Sequence, residues 1–408
     1  MKQLLAYCLS IILCVSFTGC MENYLDLYPE DKITSASFPE NESDIKLLLN
    51  GVYAQLREKE VYNQGLFGFG ITDGATPNAF NWGTDEVFNK LGAGRLSSSD
   101  GGVVTYRWKR CYEIISRANY LLACMDLVDL SEEAKAKYSG ETHFLRGLAY
   151  SVLAETYGGV PIILTNISTE EARSLKRASL EETWQQALDD YEVAITNLGV
   201  DGPEPGRATK GAALGMKMRA YLYQGKYKEV LSCVEQIDAL KKYGLFHSYE
   251  GLFDPANENN KEVLFDIQYI EGENSQGSYI DQYCGTGTGR WDRGSRYVPT
   301  DDLVAAYETI DGSPVDPENP YENRDPRLGF TAVLPGSYFL GYRFPNYLYP
   351  GGAFNHAGNR LKHLSTRKYR IQDESKLPPS GQSYINDIIL RYADVLLSKA
   401  EAIFLTNG

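Results

Sequence analysis

Basic residues are scarce. The 408-residue chain carries 40 Lys and Arg against 54 Asp and Glu, a net charge of −14. Phosphate binding needs a basic face, so this balance excludes a nucleic-acid partner. Histidine is scarcer still: His143, His247, His356 and His363 show neither HExxH nor any paired metal-ligand spacing. Of seven cysteines, Cys8 and Cys14 fall in an apolar leader, and Cys20 follows it directly. Cys111, Cys124, Cys233 and Cys284 remain, with no CxxC among them. Buried free thiols are expected, and one disulfide is the alternative in an oxidising compartment. Past the leader, no stretch is long and apolar enough to span a bilayer. No Ser/Pro linker or charge run marks a boundary, which leaves one large domain or two intimate ones.

The N-terminus is informative. Lys2 precedes an apolar run from Leu4 to Phe17 interrupted only by Ser10 and Ser16. At about 14 residues it is too short to span a bilayer and fits a signal peptide over residues 1–19. The sequence Phe17-Thr18-Gly19-Cys20 resembles a bacterial lipobox, with Phe17 where Leu is usual. Cys20 is then the lipidated first residue, and several acyl chains make the anchor effectively permanent. The acidic tether Met21–Asp26 resembles signals that export lipoproteins to the exterior face of the outer membrane.

The body of the chain reads as amphipathic helix. Ser179 and Glu182 form a capping box, after which Trp184, Ala187, Leu188, Tyr191, Ala194, Ile195 and Leu198 share one face, with Gly199 as a stop. A second helix starts near Ser131 and ends at Gly158-Gly159. Others are expected at about 43–57, 104–128, 207–223, 227–241 and 386–406. Tyr221, Gly225, Tyr227 and Val230 match the spacing of a tetratricopeptide (TPR) hairpin, a unit that buries its face only against neighbours. At the end of the chain, Phe404 to Gly408 parallels Tyr221 to Gly225 and stops where a second helix would begin. A C-terminal truncation of a longer protein, with an unpaired apolar helix face, is therefore expected.

Two irregular tracts interrupt the helices, at about 58–102 and 244–385. In the second, residues 262–270 alternate as a short strand, while "RDPRL" (324–328), "PGSY" and "PGGAF" read as turns. The fold class is mostly α: a TPR-like helical-repeat scaffold with loop-rich insertions and a few short strands. After residues 20–40, a tether and N-terminal segment, a single domain spans 41–408. Its helical parts lie near 41–57, 103–243 and 386–408, the last pair being incomplete.

Several segments in this order resemble the SusD-like (RagB/SusD) outer-membrane glycan-binding lipoproteins. They are "YLDLYPED" after the lipobox, "RANYLL" (117–122), "FLRGLAYSVLAETYGGVPIIL" (144–164), "GRATKGAALGMKMRAYLYQGKY" (206–227), "YGLFHSYEGLFDPANENNKEVLFDIQY" (243–269), "ENRDPRL" (322–328) and "IILRYADVLLSKAEA" (388–402). The resemblance implies about four TPR-like pairs beside an irregular ligand-binding part. It also implies a non-catalytic protein that captures oligosaccharides and passes them to a TonB-dependent SusC-like transporter.

Sugar rings have an apolar C–H face and a hydroxyl rim, which aromatic faces and Asn, Asp, Arg or Gln side chains match. The 30 Tyr, twice the 15 Phe, suit half-wet positions but also TPR-like cores. Trp108 and Trp184 lie in periodic helices and read as core. Trp82 and Trp291 lie in Gly-rich loops, Trp82 near Asn78, Asn81 and Asp85, and Trp291 near Tyr283, Arg290 and Arg293. Asn78, Phe80, Trp82, Tyr283, Trp291 and Arg293 are the candidate ligand residues; those carried over from the family are matched by region rather than by strict motif. The competing reading of Trp82 is a local core with Phe67 and Phe69.

Other motifs carry less. "GTGTG" (285–289) lacks the flanking strand, helix and Lys of a phosphate loop. The acidic loop "DGSPVDPENP" (311–320) leaves a structural calcium ion open, although Pro314 and Pro317 break the EF-hand register; no other cofactor is expected. Two alternatives remain. One is a TPR-like assembly or peptide-cargo lipoprotein. The other is a glycan-active enzyme, for which Asp73 and Asp85 could be nominated.

Overall fold

The computed structural model describes residues 38–57, 73–81, 90–271, 277–278, 297–344, 364–379 and 382–407. The leader, Cys20, Trp82, Asp85, Tyr283, Cys284, Arg290, Trp291 and Arg293 lie outside the described residues.

The helices are α1 (Glu42–Ala54), α2 (Val103–Cys124), α3 (Glu132–Tyr157), α4 (Thr169–Ser174), α5 (Leu180–Asn197), α6 (Lys210–Tyr223), α7 (Tyr227–Ala239), α8 (Asp301–Ala306), α9 (Pro326–Thr331) and α10 (Tyr392–Asn407). They stack as a repeat. Helix α1 pairs with α2, α3 with α5, and α6 with α7, while α2 leans on α3, α5 on α6, and α7 on α10. Each pair covers the apolar face of the next, as the TPR spacing implies. The hairpin turn between α6 and α7 falls at Gly225, whose φ of 69° is a left-handed conformation that favours glycine. One side of α10 packs on α6 and α7; Leu397 and Phe404 on its remaining surface are exposed. Among the described residues no helix is long and apolar enough to cross a membrane.

Local chemistry sets the helix starts. The capping box at α5 is present: Glu182 N–H donates to Ser179 Oγ at 3.1 Å, and Ser179 N–H donates to Glu182 Oε2 at 2.7 Å. Replacing Ser179 by Ala is expected to cost about 1 kcal/mol, read as a shift in the urea midpoint at unchanged slope. Helix α5 stops where expected, with Gly199 the residue just past the C-cap, but without the left-handed conformation of a glycine stop. Leu198 caps α5 in an extended conformation, and Gly199 is not among the positive-φ glycines.

The main core runs through α1–α3, α5–α7 and α10, with Phe144, Tyr150, Tyr191 and Leu121 fully buried. Trp184 joins it as expected, whereas Trp108 is only partly buried against Tyr112 and Tyr157. Cys111, Cys124 and Cys233 are buried free thiols. Helices α3 and α5 approach closely because Gly147 has no side chain. A Cβ there would lie 3.0 Å from Asp190 Cβ and 3.1 Å from the Ala187 carbonyl oxygen.

Beneath that contact lies a buried polar network. The Arg146 guanidinium donates to Asp190 from Nε (3.1 Å) and Nη2 (2.7 Å), and to Asn119 Oδ1 from Nη1 (2.8 Å). Asn119 in turn donates to the carbonyl of Ile163, and His143 Nδ1 sits 2.7 Å from Asp190 Oδ1. The network ties α2, α3 and α5 to the strap 160–165.

Among the described residues, the strands form two-stranded antiparallel ribbons. These pair β1 (Ala79–Asn81) with β3 (Tyr297–Pro299) and β2 (Val263–Ile267) with β8 (Asp387–Arg391). They also pair β4 (Ala332–Val333) with β7 (Ser365–Thr366) and β5 (Tyr338–Phe339) with β6 (Tyr342–Arg343). The strand expected within 262–270 is β2. Two readings are corrected. Residues 387–391 form β8 instead of the start of the last helix, because they pair with β2 some 120 residues earlier in the chain. "RDPRL" is not a plain turn: Asp325 caps α9, whose first residue is Pro326. Small separate cores hold the irregular part together, one around Leu252, Phe253, Tyr369, Ile371 and Ile385, another around Val333, Phe339, Leu340 and Phe344.

Candidate functional site

The ribbon β1–β3 positions the candidate residues that can be placed. Phe80 stands opposite Val298, and Asn81 opposite Tyr297. The pairing joins the two irregular tracts, one holding Trp82 just past β1, the other holding Tyr283, Trp291 and Arg293 ahead of β3. Two tracts read as separate in the sequence therefore meet.

Backbone bonds fix this ribbon. Thr300 N–H donates to the Asn78 carbonyl at 3.1 Å, and Thr300 Oγ1 donates to the Pro77 carbonyl. Thr300 also caps α8 through Leu303 N–H. On the other side, Asn78 N–H donates to Thr76 Oγ1 at 3.1 Å. The Asn78 backbone is thus held while its side chain is exposed, with no hydrogen bond among the described residues. Phe80 is 43% exposed, and the Val298 beside it is 4% exposed. The ring is thus partly open to solvent. An aromatic face beside a free amide suits a sugar ring and its hydroxyl rim.

A second concave region lies on the scaffold. Two adjoining cavities of about 490 and 330 Å³ share Pro205, Gly206, Arg207 and Asp266. Their polar groups largely satisfy one another. Tyr53 Oη donates to the buried Glu141 at 2.8 Å and accepts from Ala208 N–H at 2.9 Å. Arg207 stacks over the Tyr53 ring at 4.7 Å and donates to Asn50. Burial pushes the Glu141 carboxyl up, against the Tyr53 hydrogen bond and the Arg207 charge. These contacts lock the "GPEPGRATKG" loop; sequence reading noted the segment only for its family resemblance.

Beside that groove, the β2–β8 ribbon carries carboxylates that the sequence reading missed. Asp266 accepts from Gln268 at 2.6 Å and from Asn386 at 3.1 Å, and Glu258 accepts from Asn386 N–H at 2.8 Å. Burial raises Asp266 to about 6, while both hydrogen bonds oppose it. Burial, then the charges of Asp266 and Asp73, raises Asp387 to about 7, opposed by Lys368. Burial also raises Glu258 to about 7. Asp266 is 3% exposed and sits in a closed set of hydrogen bonds, an arrangement that holds a strand pair together. Asp73 is half-buried with its carboxyl raised by burial, and Asp85 lies outside the described residues. In the acidic loop, Asp311 accepts from Ser313 and Asp316 from Asn319. Among the described residues no group of three or more His, Cys, Asp or Glu is placed to hold a metal.

The fold and the ribbon define a class: a helical-repeat scaffold that presents an exposed aromatic and amide edge from irregular insertions. Residues 23–222 match a SusD-like family model described as "Starch-binding associating with outer membrane", and residues 261–408 match the SusD family model. The chain belongs to the SusD/RagB family, a family of outer-membrane-associated proteins. It is 26% identical over 321 residues to a SusD-like protein of Formosa agariphila, covering 73% of this chain and 58% of that one. A SusD-like protein of Bacteroides ovatus is 24% identical, with 96% and 70% covered. Among solved structures, a SusD-like carbohydrate-binding protein of Bacteroides fragilis superposes with a TM-score of 0.79 at 27% identity, over 90% of this chain and 75% of that one. The chain thus spans little more than half the length of the Formosa relative.

Proposed function

We propose that the protein is a non-catalytic, cell-surface glycan-binding lipoprotein, anchored through Cys20, that captures oligosaccharides and hands them to a TonB-dependent SusC-like transporter. The observation that carries the binding reading is the β1–β3 ribbon. It joins both aromatic-bearing tracts and leaves the Phe80 ring and the Asn78 amide facing solvent. The carbohydrate-binding description of the Bacteroides fragilis neighbour supports it. The anchor and the outward orientation are supported by the lipobox-like Phe17–Cys20 and the acidic tether. Trp82, Tyr283, Trp291 and Arg293 complete the proposed site.

Affinity electrophoresis and calorimetry against a polysaccharide panel test the reading. One or more glycans are expected to bind. Phe80→Ala and Trp82→Ala are each expected to weaken that binding about tenfold, the equivalent of ~1.4 kcal/mol, without lowering the melting temperature. Failure of every glycan, or full affinity in both variants, would overturn the site.

A further inference from the structure

Among the described residues, arginines shielded from solvent have partners, with one exception. Arg146 meets Asp190 and Asn119, Arg219 meets Asp394 and the Ile389 carbonyl, and Arg324 meets the carbonyls of Val304, Tyr307 and Pro320. Arg107, on α2, is 8% exposed and makes no hydrogen bond or ion pair among the described residues. Its Nε is shielded and unbonded. An isolated buried cation costs several kcal/mol by general estimates, roughly that of an ion pair with one partner deleted.

Arg107 borders a half-open cavity of about 90 Å³ lined by α2, α3, α5 and α6. Val152, Trp184 and Met216 give it apolar walls. Two other charged groups line it. Arg219 is already matched by Asp394, with Nε 3.2 Å from Oδ2, and Glu155 is exposed. The Ser151 hydroxyl is engaged with Tyr191 at 2.9 Å. Glu155 reaches solvent, so the buried charge left without a partner in the cavity is that of Arg107.

We propose that this cavity binds a small aliphatic carboxylate, with Arg107 as its counter-ion. The guanidinium supplies planar donors that match a carboxylate, and the apolar walls favour a short hydrocarbon tail over a fully hydrated inorganic anion. The volume admits a carboxylate with a few carbons. The site is separate from the β1–β3 ribbon, so it stands or falls independently of the glycan reading.

The test compares propionate with its neutral isostere propionamide at fixed pH and ionic strength, on the full-length protein. Propionate is expected to raise the melting temperature saturably, by at least about 2 °C, and to shift the 5-fluorotryptophan resonance assigned to Trp184 through Trp184→Phe. Propionamide and sulfate are expected to do neither. Arg107→Met is expected to abolish the response and, without ligand, to melt no lower than the parent, because it replaces an unpaired buried cation with an apolar chain of similar volume. An absent response to propionate, an equal response to propionamide or sulfate, an unchanged response in Arg107→Met, or a ligand-free Arg107→Met that melts lower or fails to fold would each overturn the proposal.

Discussion

Asp190→Ala is expected to destabilise the scaffold by about 3–5 kcal/mol, because it strands a buried guanidinium. Asp190 is 1% exposed and receives two nitrogens of Arg146, with His143 Nδ1 at 2.7 Å. Removing it leaves Arg146, itself 5% exposed, with neutral neighbours alone: Asn119 Oδ1 at 2.8 Å and His143 Nδ1 at 3.3 Å. The loss also loosens Asn119, which holds the strap 160–165 through the Ile163 and Thr165 carbonyls. Chemical denaturation measures the effect. The double variant Arg146→Met/Asp190→Leu is expected to be more stable than Asp190→Ala alone, since no charge then remains buried without a partner. If the double variant were the less stable, the network would act through packing instead of charge.

Stability is also expected to respond to pH through the β2–β8 carboxylates. Asp266 is raised from 3.8 to about 6, Asp387 from 3.8 to about 7, and Glu258 from 4.5 to about 7. A raised carboxyl pKa means that the folded state holds the proton more tightly than the unfolded chain. The stabilisation is therefore fully present below pH 4 and is lost as pH rises through the folded values, between about 4 and 7. For the buried Asp266 alone the upper bound is on the order of 3 kcal/mol; partial solvation of Asp387 and Glu258 reduces their share. Asp266→Asn cannot ionise, so its stability relative to the parent should grow from pH 5 to pH 8. A parent–variant difference that is flat across that window would exclude the assignment.

The sequence made the scaffold legible and the site only in outline. Helices such as α5 declare themselves through an unbroken 3.6-residue stripe and a capping box, both local signals. Strand β8 does not, because its apolar run continues into α10 without a break and its identity depends on β2 far away. The three residues of β1 carry no strand signature, and only their pairing with Tyr297–Pro299 makes them one. Asn78 and Phe80 stand at an exposed edge. The buried carboxylates were invisible, since Asp266 lies in a strand whose neighbours are apolar and its partner Asn386 is 120 residues away. Arg107 carries no sequence signal that singles it out; its burial comes from the stacking of helices that follow it.

The β1–β3 ribbon also orders events in time. Most helix contacts join neighbours in the chain, such as α6 with α7, and require closing only short loops. The ribbon instead joins Asn81 to Tyr297 across the whole scaffold. Long closures are slow unless their ends are already held near one another. The β1–β3 edge is therefore expected to assemble after the helical stack, so that a site built on it would be displayed only by a finished molecule.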